Sequence, residues 1–238
     1  MNADSTLRRL IDAAAAPYRQ AGRFAWHFAR GKLAGDPVFV ALLERGLIPD
    51  RATLLDLGCG QGLLASWLAA ADAVGASGDW PIGWPRPPRG IDYCGFELMP
   101  RDIDRARRAV GGRARFALGD IRVLDYPPVD IVVVLDVLHY LLPDEQESVL
   151  TRVRSALSGD GLLLLRIGDA AAGWRYRWSQ WVDRCVTSCR GHRLADLHGR
   201  PLDEWIAALR RRGFSVEAVP MSQGTPFANV LLIARVDA

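Results

Sequence analysis

The segment Asp56–Gly62 (DLGCGQG) combines an acid with three glycines at alternate positions, directly after the short apolar run Thr53–Leu57. Glycine lets the chain turn tightly and lets a ligand approach the backbone, because no Cβ stands in the way. The alanine- and leucine-rich residues that follow, Leu63–Ala71, predict a helix whose N-terminus offers free N–H groups. This order of strand, acid, glycines and helix predicts a cofactor loop, the alternative being a glycine turn that binds nothing.

The spacing of the glycines separates two classes of cofactor. A dinucleotide loop has the pattern G-x-G-x-x-G, which would put its third glycine at position 63, where this chain has Leu63. Here the third glycine is Gly62, and Asp56 lies two residues before Gly58. An acid at that place would repel a pyrophosphate but would tolerate a cationic or zwitterionic ligand.

The segment resembles the first motif of the class I S-adenosylmethionine-dependent methyltransferases. In that family the loop packs against the amino-acid end and ribose of the cofactor, and the acid helps to hold the ammonium group. The resemblance implies S-adenosylmethionine as the cofactor, Asp56 as the acid and loop contacts from the residues Gly58, Cys59, Gly60 and Gly62. It covers residues 53–167 in sequence and residues 200–236 in architecture alone. Cys59 and Cys94 also suit a packing role.

Acids at the ends of later predicted strands extend the resemblance. The family's second strand ends in an acid that accepts both ribose hydroxyls, which implies this role for Glu97 after Tyr93–Cys94–Gly95–Phe96. The acid after its third strand binds the adenine amino group, which implies Asp120, with the backbone N–H of Ile121 at a ring nitrogen. Leu98 and Asp136 complete the expected cofactor contacts. The alternative for each acid is an exposed strand end.

The fourth predicted strand leads into His139 and Tyr140, which we expect near the transferred methyl group, because ligands bind beyond the carboxyl ends of such strands. Histidine can serve as a base near neutral pH for a phenol, a carboxylic acid or an acidic carbon. The alternative is that His139 only lines the cofactor pocket. The [DNS]-P-P-[YFW] motif of methyltransferases that act on base amino groups does not follow this strand. The similar segment Asp125–Pro128 (DYPP) lies before the strand, and its residues are in a different order. We therefore expect no nucleic-acid substrate.

Two further stretches are candidates for the substrate side. In the first, Arg30 and Lys32 follow a run rich in aromatic residues and could contact a carboxylate, the alternative being a solvated helix end. Phe24 and Phe28, four residues apart, are expected in the core. In the second, residues 168–198, Trp174 and Trp178 fall on one predicted helical face.

This second stretch predicts a lid over an aromatic or acyl substrate, a plain covering helix, or a basic amphipathic helix at a membrane surface. Asp169, just past the fifth predicted strand, is a further candidate substrate contact. Cys185, Cys189, His192 and His198 match no common zinc spacing, so no metal is expected.

From Thr53 onward, buried apolar runs alternate with helical patterns, which predicts an α/β fold with a parallel sheet covered on both faces. The runs Phe214–Val219 and Asn229–Val236 predict a closing antiparallel hairpin. The expectation is a Rossmann-like, seven-stranded, mostly parallel sheet with that hairpin at its edge. Residues 1–50 are expected to form a helical cap, and residues 51–238 the methyltransferase domain with a lid insertion at 168–198.

Composition bounds the remaining possibilities. The net charge of +3 is too small to indicate nucleic-acid binding, and four cysteines in 238 residues do not make a disulfide framework. We expect a cytoplasmic protein without a signal peptide or membrane-spanning helix.

The predicted function is methyl transfer to a small-molecule or carrier-bound acceptor with a phenolic, carboxylic or acyl group. The N-terminal stretch resembles bacterial methyltransferases that accompany fatty-acid-like and aryl-polyene pathways. The alternatives are a non-catalytic binding module and an aminopropyltransferase-like enzyme.

Overall fold

The computed structural model describes residues 3–172, 197–222 and 228–237. Contacts divide the chain into two compact units, Met1–Leu124 and Asp125–Ala238. The predicted cap of residues 1–50 is helical and lies in the same unit as the first three strands, so the division differs from the boundary expected near residue 50. Trp174, Trp178 and most of the predicted lid lie outside the described residues.

The first unit contains five helices and three strands. Their bounds are α1 (Ala3–Ala15), α2 (Arg23–Gly35), α3 (Pro37–Glu44), β1 (Thr53–Leu57), α4 (Leu63–Ala76), β2 (Asp92–Glu97), α5 (Pro100–Val110) and β3 (Arg115–Leu118). A 3-10 helix, Ala16–Ala21, joins α1 to α2. The Asp36 carboxylate accepts a hydrogen bond from Val38 N (3.1 Å) at the start of α3, and Pro37 occupies the first turn.

The second unit contains the remaining strands. Its elements are β4 (Val129–Leu135), α6 (Pro143–Ala156), β5 (Leu157–Gly168), α7 (Leu202–Arg210), β6 (Phe214–Pro220) and β7 (Asn229–Val236). Short 3-10 turns lie at Leu138–Tyr140 and Ala170–Ala172. β5 begins directly after α6, so Gly159 and Gly161 lie within the strand.

The sheet has seven strands in the order β3-β2-β1-β4-β5-β7-β6. Strands β1, β2 and β3 pair in parallel, as do β4 and β5, whereas β7 is antiparallel to both β5 and β6. The Rossmann-like fold with mostly parallel strands and an antiparallel pair at one edge is therefore confirmed. Because β1–β3 are parallel, their carboxyl ends share one edge, which gathers the glycine loop and the acids after β2 and β3.

Buried apolar side chains hold each unit together. In the first, Trp67 on α4 is fully buried, packs edge-on against Phe39 (6.1 Å between ring centroids) and donates its indole N–H to Phe39 O (2.8 Å). In the second, the valines of β4 and the leucines of β5 are buried on both faces, as expected for parallel strands. None of the helices in the described part of the chain could span a bilayer.

Candidate functional site

The glycine loop after β1 has a backbone that only glycine adopts easily. Gly58, Gly60 and Gly62 have φ angles of 78°, 54° and 77°, which lie in the left-handed region. The backbone N–H groups of Gly58 and Cys59 both donate to Phe96 O on β2, at 2.8 and 3.0 Å. These bonds tie the loop to the neighbouring strand.

The space around these glycines shows which face of the loop is open. A Cβ on Gly62 would lie 2.9 Å from Phe116 Cζ, so this glycine allows close packing inside the unit. A Cβ on Gly60 would meet no atom within 4 Å. The loop is therefore packed on one side and, at Gly60, accessible on the other. Cys59 is buried, and a Cβ on Gly95 would lie 2.7 Å from its Sγ, consistent with a packing role for the thiol.

Glu97, at the end of β2, links the loop to the turn that follows the strand. Its Oε2 accepts from Gly60 N (2.9 Å) and its Oε1 accepts from Met99 N (2.9 Å). Burial raises the pKa of Glu97, while these N–H bonds oppose the rise. Each carboxylate oxygen retains a second lone pair, so the group can still accept from ribose hydroxyls. Leu98, beside it, is 57% exposed and offers an apolar surface at the same edge.

Asp56 lies inside the unit at the end of β1. Its carboxylate is buried and accepts a hydrogen bond from the Tyr93 hydroxyl. Burial raises the pKa of Asp56 to about 7, the Tyr93 bond opposes this and the nearby Glu97 charge adds to it. Tyr93 was missed by the sequence reasoning. Its signal was a tyrosine on a buried strand, whose hydroxyl needs a partner.

Asp120, after β3, is paired with Arg122. The Arg122 Nε lies 3.0 and 2.9 Å from the two carboxylate oxygens, and Arg122 N donates to Oδ1 (2.9 Å). This arginine holds the pKa of Asp120 below its usual value. Ile121 is buried beside it. The adenine role of Asp120 and Ile121 stays a prediction, in which the acid would share its oxygens with Arg122.

The N-terminal helices cover the glycine loop from within the same unit. The Tyr18 hydroxyl donates to Gln61 O (2.9 Å), and Gln61 Nε2 donates to Ala25 O (3.1 Å). Ser66 Oγ, in the first turn of α4, donates to Ala14 O (2.7 Å). These contacts fix the loop and α4 against the first 25 residues, a role that the sequence pattern did not reveal.

The two cations predicted on the substrate side are engaged in ion pairs. Arg30 Nη2 lies 3.3 Å from Asp12 Oδ1, and Lys32 Nζ lies 2.8 Å from Asp36 Oδ2. Their predicted substrate contacts remain predictions. Phe24 and Phe28 were expected in the core, but Phe24 is 55% exposed and Phe28 is half-buried. Their rings stack on each other at the surface of α2, and the Arg105 guanidinium lies 4.8 Å from the Phe24 ring.

In the second unit, Asp136 follows β4 with a left-handed backbone (φ 58°). Its carboxylate forms a two-point ion pair with Arg166 of β5, in which Nε donates to Oδ1 (2.8 Å) and Nη2 donates to Oδ2. The Arg166 side chain is only 1% exposed. Arg166 lies inside the apolar run Leu162–Ile167 and was not among the predicted site residues. A charged residue inside such an apolar run was the available signal.

His139 and Tyr140 lie in the 3-10 turn just after Asp136. Their rings are neighbours, with centroids 4.1 Å apart, and the Tyr140 side chain is partly exposed. Burial lowers the pKa of His139, the Asp136 carboxylate opposes this and the Arg166 cation adds to it. The imidazole is therefore neutral at pH 7, which is the form that a base requires.

Gln146 of α6 holds this turn in place. Its buried side-chain amide donates to Leu138 O (3.0 Å), Leu141 O (3.0 Å) and His198 O (2.8 Å). His198 N in turn donates to His139 O (2.8 Å). The turn that carries His139 is thus fixed from α6 and from the segment before α7.

Asp169, directly after β5, contacts backbone N–H groups. Its Oδ1 accepts from Ala171 N (2.9 Å) and from Leu202 N (3.1 Å) at the start of α7. The carboxylate therefore caps α7 from a distance in sequence, and its predicted substrate contact remains a prediction. No group of three or more potential metal ligands occurs within residues 3–172, 197–222 and 228–237. Cys185, Cys189 and His192 lie outside these ranges.

Known proteins match both the sequence and the fold. A methyltransferase domain family matches residues 25–219. Carboxy-S-adenosyl-L-methionine synthase from Chromohalobacter salexigens is 32% identical over 130 residues, which is 50% of this chain and 43% of that protein. The chain thus spans less than half the length of this relative.

Two solved structures share the fold at low sequence identity. A TehB-like S-adenosylmethionine-dependent methyltransferase from Corynebacterium glutamicum has a TM-score of 0.58 and 21% identity, covering 92% of this chain and 99% of that one. The magnesium protoporphyrin IX methyltransferase from Synechocystis, with bound S-adenosylhomocysteine, has a TM-score of 0.59 and 18% identity, covering 98% and 100%. The family match covers most of the chain, and the glycine loop agrees with it. The chain therefore belongs to the class I S-adenosylmethionine-dependent methyltransferases, a family whose cofactor is S-adenosylmethionine.

Proposed function

We propose that the protein transfers a methyl group from S-adenosylmethionine to a small-molecule or carrier-bound acceptor with a phenolic, carboxylic or acyl group. The observation that carries this proposal is the Glu97 carboxylate bonded to Gly60 N at the open face of the glycine loop. This arrangement fits a nucleoside, because the loop leaves room for a ligand and Glu97 retains lone pairs for two hydroxyls. The proposal includes a cytoplasmic location and no nucleic-acid substrate.

The residues of the chain have separate tasks in this proposal. Bound S-adenosylmethionine supplies an electrophilic methyl group on a sulfonium. Glu97 and the glycine loop bind the nucleoside, and Asp120 with Ile121 N contacts the adenine. His139 takes a proton from the acceptor at an imidazole nitrogen, for which its neutral form is suited, and Tyr140 contacts the acceptor. Orientation of the acceptor supplies the rest of the rate enhancement.

Replacing Glu97 tests the cofactor site. Glu97→Ala removes the acceptors for ribose and for Gly60 N, so it should weaken S-adenosylmethionine binding by about 1–3 kcal/mol. Isothermal calorimetry with S-adenosylmethionine and with S-adenosylhomocysteine measures the change.

Asp92→Ala is the matched control for this experiment. Asp92 is an acid at the opposite end of the same strand, where it forms an exposed ion pair with Arg115 (2.8 Å). Its loss should leave cofactor affinity unchanged. Equal affinities for wild type and Glu97→Ala would remove Glu97 from the site, and no binding by the wild type would contradict the proposed function itself.

Replacing His139 tests the chemical step. His139→Ala should lower turnover by about 10²–10⁴-fold, the usual contribution of a general base, with cofactor affinity nearly intact. The measurement is transfer of a labelled methyl group to a panel of phenols, carboxylic acids and acyl-carrier substrates. His27→Ala, at an exposed position on α2, is the control. Wild-type turnover by His139→Ala would exclude it as the base.

A second candidate is production or use of a carboxylated cofactor. It is favoured by the 32% identity to a carboxy-S-adenosyl-L-methionine synthase. Mass spectrometry of the nucleoside that co-purifies with the protein separates the two candidates. Carboxy-S-adenosylmethionine in the extract would favour the second candidate, whereas S-adenosylmethionine or S-adenosylhomocysteine would favour methyl transfer. Binding with no turnover across the substrate panel would favour a non-catalytic module. A transferred aminopropyl group would indicate an aminopropyltransferase-like enzyme.

A further inference from the structure

Arg166 is the buried cation of β5. Its neighbours along the strand, Leu162–Leu165 and Ile167, are buried apolar residues, and its own side chain is 1% exposed. Removing a guanidinium from water costs several kcal/mol, and an ion pair regains this only with good geometry. A leucine at this position would fit the strand with no such cost. The pair with Asp136 is therefore a feature that packing alone does not explain.

The position of Asp136 gives the pair a local effect. Asp136 has a left-handed backbone, which is unfavourable for most residues other than glycine and is maintained by its surroundings. Arg166 contacts both the side chain and the backbone of Asp136. Its guanidinium bonds to the Asp136 carboxylate, and Arg166 O lies 3.4 Å from Asp136 N. The chain leaves β4 in the direction fixed by these contacts.

The turn that follows carries the proposed base. Val137 leads directly into the 3-10 turn Leu138–Tyr140, which Gln146 holds through two carbonyl groups. The pair fixes the beginning of this turn and Gln146 fixes its end.

We propose that Arg166 is a positioning residue for methyl transfer, which fixes the Asp136 turn and so sets the orientation and charge environment of His139. This inference rests on the proposed function, in which His139 acts on the acceptor. Arg166 itself acts through Asp136.

The same pair controls the charge around His139. Among the described residues, the titratable and charged groups near His139 include Asp136 in its own loop, Arg166 from β5, Tyr140 in the same turn and His198, whose backbone contacts it. Arg166 balances the Asp136 carboxylate. If Arg166 is lost, its positive charge no longer opposes the effect of the Asp136 carboxylate on the imidazole, and this favours the protonated ring.

Titration of His139 by NMR tests the proposal without any substrate. The chain has four histidines, so ring-labelled histidine gives few signals, and His139→Gln assigns the one of interest. In wild type, His139 should titrate below its ordinary midpoint of 6.5. Arg166→Met should raise its proton affinity by about tenfold or more, as expected when a cation is removed and the opposite charge near the ring is kept.

Three further variants make the test specific. Asp136→Asn with Arg166→Met removes both charges, so it should bring the midpoint back toward wild type. Arg166→Lys keeps the cation and should stay close to wild type. Asp136→Asn alone removes the anion that favours the protonated ring and should lower the midpoint, which provides a test even if Arg166→Met does not fold.

Arg212→Met is the matched control. Arg212 is also an arginine with little exposure, paired with Glu147 (2.7 Å) in the same unit. Its loss should lower stability and leave the His139 midpoint unchanged. The proposal is overturned if the midpoint is the same in wild type, Arg166→Met and Asp136→Asn, or if Arg212→Met shifts it equally. Because no cofactor or acceptor is needed, such a failure is distinct from failure of the calorimetric test with S-adenosylmethionine.

Discussion

Asp56 shows how the environment of a single side chain changes its chemistry. It is an acid at the end of a buried strand. Its carboxylate is buried and accepts a hydrogen bond from the Tyr93 hydroxyl. Burial disfavours the charged form, so the pKa of Asp56 rises from 3.8 to about 7. At neutral pH the group is partly protonated, which weakens it as an electrostatic partner for an ammonium group.

This shift predicts a particular dependence of stability on pH. The folded state binds the Asp56 proton more tightly than the unfolded state, so its contribution is fully present below pH 3.8 and is lost as pH rises to about 7. The loss amounts to a few kcal/mol, since each pKa unit is worth about 1.4 kcal/mol. Asp56→Asn keeps an acceptor for Tyr93 and should flatten this part of the curve in urea unfolding at several pH values.

Asp104→Asn serves as the control for that measurement. Asp104 is an exposed acid on α5 that pairs with Arg108, so its loss should not change the slope between pH 4 and 7. Parallel curves for wild type and Asp56→Asn would show that the carboxylate titrates in its ordinary range.

At the scale of elements, the glycine loop requires both an unusual backbone and close packing. Gly62→Ala introduces strain at φ 77° and a Cβ 2.9 Å from Phe116 Cζ, so we expect a loss of about 2–4 kcal/mol in the free energy of unfolding. Thermal and urea unfolding measure this loss.

Two other glycines separate the causes. Gly78 also has a positive φ (79°), but a Cβ there would meet no atom within 4 Å, so Gly78→Ala should show the backbone strain alone, about 1 kcal/mol. Gly112 has neither constraint, and Gly112→Ala should be near neutral. If all three variants had equal stability, packing at Gly62 would play no part.

Most elements could be predicted from the sequence because their patterns are regular. β1 (Thr53–Leu57) and β7 (Asn229–Val236) have the predicted bounds. The beginning of β5 could not be predicted, because Ser158–Gly161 has the composition of a turn. In the structure the register of β4 and β5 shifts there, with Val129 opposite Leu157 and Ile131 opposite Leu162. Such a bulge depends on the partner strand, which local sequence does not specify.

In the candidate site too, features set by local sequence could be predicted, whereas features set by contacts between distant residues could not. The glycine loop and Glu97 follow a linear motif, so their places at the strand ends were predictable. The partners Tyr93, Arg122 and Arg166 were not, since each is defined by a contact that the fold creates. The contacts of Asp169 with the start of α7 are of this kind as well.

At the scale of the whole molecule, the main finding is which compact unit contains the N-terminal helices. The first three helices belong to the unit that contains β1–β3, although the sequence suggested a separate cap. α1 packs on α4, and the 3-10 helix after α1 packs on α5. The N-terminal 50 residues therefore complete the hydrophobic core of that unit.

The bonds from Tyr18 to Gln61 and from Gln61 to Ala25 have a consequence for dynamics. Local opening of the first two helices must release the glycine loop, and a ligand that immobilises the loop must make that opening rarer. S-adenosylmethionine should therefore slow amide hydrogen exchange in residues 5–30, and Tyr18→Phe should reduce the protection. If exchange there were identical with and without the ligand, the helices and loop would fluctuate independently. Amide exchange in the first 30 residues would then not depend on whether the cofactor is bound.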